Sequence, residues 1–131
     1  MTDLSAAISA EVPATAEFVQ VLRNVAAGVA ARLDMPIDQI EEIRLAVTEA
    51  ASLLLAQVGP MSLRMTIRRD PGTIEITLSC DGAADPWPSD GVTSSWPWLV
   101  MQGLTDEVRL DRGGDGAPAI GFVKRNERVA R

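Results

Sequence analysis

Two stretches of helical periodicity, followed by two cleanly alternating runs, predict an α+β fold. It is a two-layer sandwich of a mixed or antiparallel sheet with helices on one face. The helical signal is strongest over 37–57. There Ile40, Ile43, Val47, Ala50 and Leu54 recur at spacings of three and four and so share one stripe. The strand signal is strongest over 61–80. Leu63, Met65 and Ile67 alternate with polar residues, as do Ile74, Ile76, Leu78 and Cys80 after the Asp70-Pro71-Gly72 turn. A sheet with one apolar face needs one cover, and the helices supply it. The 131 residues suffice for one domain, 1–131, around a single core.

The remaining elements follow in chain order. SAAISAEV over 5–12 reads as a first strand with Ile8, Ala10 and Val12 on one face, although alanine is a poor strand former. Pro13 ends it and Thr15 is a candidate N-cap. Phe18, Leu22, Val25, Val29 and Leu33 then mark a helix over 15–33. Asp34-Met35-Pro36 turns the chain, Pro36 suits the first turn of the next helix, and Asp38, Glu41 and Glu42 favour its N-terminal dipole end. Gly59-Pro60 stops that helix. Residues 81–97, with Pro86, Pro88, Pro97, Gly82 and Gly91, read as a long irregular loop. A short helix over 98–104 turns Trp98, Met101 and Leu104 inward, whereas Trp87 and Trp96 are expected to be partly exposed. Val108 and Leu110 mark one more strand and Ile120 and Phe122 the last. The glycine cluster 113–116 between them reads as a hairpin turn. The charged end, KRNERVAR, is expected to fray.

Composition removes several chemistries. The chain has no histidine, which excludes His-based acid/base catalysis, Ser-His-Asp and Cys-His nucleophiles and the usual zinc sites. Its single cysteine, Cys80, cannot form an intrachain disulfide, which suits a reducing, cytoplasmic compartment. No apolar run approaches the ~20 residues that cross a membrane. MTDLSAAIS has no basic segment of the secretory kind. A formal net charge of −6 repels phosphate backbones, so nucleic acid is not an expected partner and a basic protein is.

The run EEIRLAVTEAASLLL resembles the N-box helix of the GHKL-type (Bergerat) ATPase fold, specifically the anti-sigma factor serine/threonine kinases of the sporulation and general-stress type. WLVMQGLTDEVRLD resembles the last helix and following strand of that family. The likeness spans about 8 to 125 and is strongest to the actinobacterial branch. The family's central helix carries Glu-x-x-x-Asn, a catalytic Glu and an Asn that holds Mg²⁺ on ATP. Glu49 matches the Glu, and Leu53 stands in place of the Asn. Leucine offers no oxygen to a cation that demands an oxygen octahedron. Glu49 is thus either a cleft residue or a polar residue at the helix edge. The family's Asp-x-Gly-x-Gly, whose Asp accepts from the adenine amino group, matches Ser79-Cys80-Asp81-Gly82-Ala83 in two registers. Either Asp81 fills the Asp slot and Ala83 replaces a glycine, or Gly82 fills the glycine slot and Cys80 replaces the Asp. An ordinary turn at Asp81-Gly82 is the plain alternative. The phosphate-cradling glycines before the last helix correspond to Ser95 and Pro97, and proline has no N–H to donate.

The resemblance therefore implies catalytic Glu49 and nucleotide-binding Asp81, Gly82 and Glu49, with ATP and its Mg²⁺ as candidate cofactors at an impaired site. It implies an anti-sigma factor that sequesters an alternative sigma factor, is opposed by a STAS-type anti-anti-sigma factor, forms a homodimer and has weak or lost kinase activity. Two other readings stay open: an active serine kinase acting on the STAS antagonist, and a degenerate module with another protein partner.

Overall fold

The structure is a computed structural model that describes residues 6–57, 59–81, 87–113 and 116–129. Three helices, α1 (Ala16–Arg32), α2 (Ile37–Leu55) and α3 (Trp96–Leu104), cover one face of a five-stranded sheet. The strands are β1 (Ile8–Pro13), β2 (Ser62–Asp70), β3 (Thr73–Cys80), β4 (Glu107–Arg112) and β5 (Pro118–Arg125). Their order is β1-β2-β3-β5-β4 and every neighbouring pair is antiparallel.

Alternation sets the register. Leu63, Met65 and Ile67 lie opposite Cys80, Leu78 and Ile76, and all six are buried beneath the helices. On α2, Ile43, Val47, Ala50 and Leu54 are buried, as the periodicity predicts, while Ile40 is half-buried. α2 is the middle helix of the layer, packed against α1 on one side and α3 on the other.

α1 departs from its predicted stripe. Its buried residues are Val19, Leu22, Ala26, Ala27 and Ala30. Phe18 is exposed, and Val25 and Val29 are half-buried. α1 must approach both the sheet and α2. Small alanines allow that close packing, so the bulkier residues are displaced to a flank. Its C-terminus closes in a Schellman pattern: Asp34 takes a left-handed φ of 59°, its amide bonds Ala31 O, and the Met35 amide bonds Ala30 O.

Two expectations about exposure are corrected. Trp87 is 4% exposed, because its indole N–H donates to Asp111 O (2.8 Å) while Arg112 Nη2 donates to Trp87 O (2.8 Å), fastening the loop to β4. The charged end does not fray through residue 129. Asn126 is fully buried and donates from Nδ2 to Leu33 O (2.7 Å) and Pro71 O (3.2 Å). Gln39 donates to Arg125 O (2.8 Å) and accepts from the Glu127 amide (3.0 Å). Lys124 donates to Leu104 O (2.6 Å) and pairs with Glu42 (2.8 Å). Charge count signals a solvated tail; these hydrogen bonds to distant carbonyls override it.

Candidate functional site

The C-terminal half of α2 and the N-terminus of α3 border a depression of about 380 Å³, lined by Leu53, Gln57, Asp90, Gly91, Val92 and Ser95 among others. Gly91 enters it with a φ of 86°, the left-handed geometry glycine adopts without strain, and starts a 3₁₀ turn over Val92–Ser94. Ser95 closes that turn, its hydroxyl donating to Val92 O (2.6 Å), and then caps α3 by accepting from the Trp98 amide (3.4 Å). α3 therefore begins at Trp96, two residues before the predicted 98, with Pro97 suited to its first turn.

That start decides what α3 can offer an anion. A helix N-terminus presents four unbonded amides, and these make it a phosphate site. Here the Ser95 amide bonds Val92 O (3.1 Å), Pro97 has no N–H, and the Trp98 amide is taken by Ser95 Oγ. Among the described residues, one amide of the first turn, that of Trp96, is left. The described lining holds no lysine or arginine, and its one carboxylate is Asp90. Leu53 is buried at 7% exposure with its apolar side chain against this depression. The described residues do not fit a Mg²⁺-bound triphosphate: they bring too few donors, no cation and no side-chain oxygen at position 53.

Glu49 lies one turn before Leu53 on α2 and is half-buried. It has no hydrogen-bond or ion-pair partner among the described residues. Asp81 lies elsewhere. It sits at the end of β3 with Glu11, Ser62, Arg64 and Ser79, around a second depression of about 290 Å³ on the uncovered face of the sheet. Its Oδ1 accepts from the Met61 (2.7 Å) and Ser62 (2.9 Å) amides. The Ser62 and Met61 amides hold its carboxyl below the usual carboxylate range. The structure thus does not bring Asp81 together with Glu49 and Leu53. Cys80 points to the helix side, where burial and then the charge of Asp81 push its thiol up. Gly82 lies outside the described residues.

Sequence reasoning took Ser95 as a lost glycine and missed its role as a cap. Ser-Trp-Pro, a capping residue two positions before a first-turn proline, carried that signal. Asp90 gave no signal of its own.

A family model described as histidine kinase-like ATPase domain matches residues 12–119. The chain is 27% identical over 120 residues to the anti-sigma-F factor RsbW of Mycobacterium tuberculosis, in strains CDC 1551 / Oshkosh and ATCC 25618 / H37Rv, an alignment covering 89% of this chain and 68% of each relative. Its fold matches a crystal structure of the RsbU and RsbW domains of Rv1364c from Mycobacterium tuberculosis with a TM-score of 0.69, at 13% identity, over 92% of this chain and 32% of that one.

Proposed function

From its membership of the histidine kinase-like ATPase domain family, we propose that this protein is a cytoplasmic anti-sigma factor. It sequesters an alternative sigma factor, is released by a STAS-type anti-anti-sigma factor, acts as a homodimer and has little or no kinase activity. Support for the partner class comes from the M. tuberculosis relatives, which are anti-sigma-F factors. The net charge of −6 suits a basic partner. Among the described residues no helix is long and apolar enough to cross a membrane.

The observation that carries weak or lost kinase activity is the start of α3. Pro97 and the Ser95 cap remove the amides that would cradle phosphates, while Leu53 replaces an oxygen ligand for Mg²⁺. The protein then binds rather than transfers. The deciding experiment is a pull-down with the purified sigma factors of the same genome. Capture of one, competed by a STAS protein, is expected. Capture of none at low salt would sink the proposal.

Glu49 favours the second reading, an active serine kinase for the STAS antagonist, because it keeps the family's catalytic carboxylate on α2. Transfer of labelled phosphate from Mg-ATP to a STAS protein would establish that reading. Its absence, together with no Mg-ATP heat in calorimetry, is expected.

A further inference from the structure

In the depression between α2 and α3, hydrogen-bond donors are committed internally while strong acceptors are not. Gln57 donates Nε2 to Leu53 O (3.1 Å), and Ser95 donates Oγ to Val92 O (2.6 Å). The Val92 and Ser95 amides donate to Ser89 O (3.3 Å) and Val92 O (3.1 Å). The Gln57 side-chain oxygen and the Asp90 carboxylate have no hydrogen-bond or ion-pair partner among the described residues.

The backbone adds to this bias. Leu53, Ala56 and Gln57 lie in the last turn of α2 and just past it, at the negative end of the helix dipole. That turn carries no basic residue, and neither does the described lining. A cation entering here meets a carboxylate, an amide oxygen and a helix C-terminus. A metal ion is not that cation. One carboxylate is too few for a divalent ion, and no group of three or more acids and thiols able to hold one occurs among the described residues.

The surface beside the depression is apolar. Trp96 follows the lining residue Ser95 and is 73% exposed, whereas Trp87 and Trp98 are buried. Leu99, three residues on and on the same outer face of α3, is half exposed. No residue of that helix is charged. An exposed tryptophan next to an acidic depression suits a guanidinium, which is planar, stacks on an indole and sheds water more readily than an ammonium.

We propose that the depression takes an arginine side chain of a protein partner. Asp90 accepts the guanidinium, Trp96 stacks on it, and Leu99 covers apolar residues that flank the arginine. The net charge of −6 draws such a partner in. This inference rests on the protein-binding reading above and assigns it a point of contact. A free guanidinium compound is the competing occupant, and it has no apolar flank to lay on Leu99.

Titration of the full chain tests it, read by two-dimensional NMR at the Asp90 amide and the Trp96 indole. The probes are the capped peptide Ala-Leu-Arg-Leu-Ala, its citrulline counterpart, which keeps the shape and loses the charge, and N-acetylarginine amide. The arginine peptide is expected to move both signals at up to about 10 mM, the range of a single anchored side chain. Replacing arginine by citrulline, or Asp90→Asn in the protein, is expected to weaken binding about tenfold. Trp96→Ala is expected to weaken it about threefold. Both positions are exposed, so these variants keep the fold. Glu107→Gln, an equal change of charge on β4, is expected to leave binding unchanged. Equal binding of the arginine and citrulline peptides, or shifts elsewhere while Asp90 and Trp96 stay still, overturns the site. N-acetylarginine amide binding as tightly as the peptide overturns the protein partner. A sigma factor captured equally by the parent and by Asp90→Asn overturns the contact and spares the anti-sigma reading. Capture of none, with the peptide still bound at Asp90, overturns that reading and spares the site.

Discussion

The two ends of α2 differ in how their polar groups are matched. At the N-terminal end, Gln39 is buried with both amide atoms bonded to the C-terminal segment, and Glu42 is paired with Lys124. Toward the C-terminal end, Glu49 has no partner among the described residues and Leu53 borders a depression. The helix is regular from Ile37 to Leu55, so backbone propensity does not explain the contrast. A buried polar group is stable only when its hydrogen bonds are completed inside the protein. The satisfied end is scaffold; the unmatched end is where a ligand or partner finds something to engage.

The largest effect is expected where the scaffold end is broken. Asn126→Leu leaves Leu33 O and Pro71 O without their donor in a fully buried setting. Orphaned buried groups cost about 1–3 kcal/mol each, so a loss of about 2–4 kcal/mol is expected from urea denaturation. A loss below about 0.5 kcal/mol, within the range of ordinary surface substitutions, would show that the C-terminal segment is not a fastening. Lys124→Met should cost less, about 1–2 kcal/mol. It orphans Leu104 O, but Glu42 is 37% exposed and recovers part of its solvation. A double-mutant cycle with Glu42→Gln isolates the pair, and a coupling of zero would assign the whole effect to Leu104 O.

At the open end, stability and binding separate. Leu53→Asn puts an amide into a site 7% exposed and should cost about 1–3 kcal/mol. Calorimetry with Mg-ATP should still show no heat, since Pro97 and the Ser95 cap remain. Strong binding after that single change would move the block away from α3. Adding Ser95→Gly and Pro97→Gly frees the first-turn amides and is the variant in which Mg-ATP binding is expected to return.

The scaffold was legible in the sequence to a degree that the site was not, and the reason is periodicity. β3 is found at 73–80 as predicted, and α2 and β2 within two residues, because each has a repeating apolar pattern with one environment per face. α1 packs against both α2 and β1, so its stripe rotated and Phe18 ended on a flank. Trp87 and Asn126 depend on hydrogen-bond partners 24 to 93 residues away, and no local pattern encodes those. At the site, the resemblance located Glu49, Leu53 and Pro97. It did not show that Asp81 opens on the other face of the sheet. That follows from strand parity, because Cys80 and Asp81 point to opposite sides.

Asp81 carries the smallest predicted effect, and it is lost in acid. Its carboxylate accepts the Ser62 and Met61 amides at the surface, which lowers its pKa in the folded state. A group whose folded pKa is depressed adds stability above its unfolded pKa and loses it as pH falls through the folded value. The contribution is therefore complete at neutral pH and disappears below the ordinary carboxylate range. Asp81→Asn keeps an oxygen for both amides but no charge. Urea midpoints of the two proteins should differ slightly at pH ~7, and the gap should shrink in acid, as pH falls below the ordinary carboxylate range and the parent carboxyl takes up its proton. A gap that stays the same at neutral pH and in acid would mean that the charge of Asp81 contributes nothing, and that its oxygen alone holds the Met61 and Ser62 amides. A gap that closes in acid would identify Asp81 as a charged clasp on the scaffold, leaving Asp90 as the carboxylate of the α2–α3 depression among the described residues.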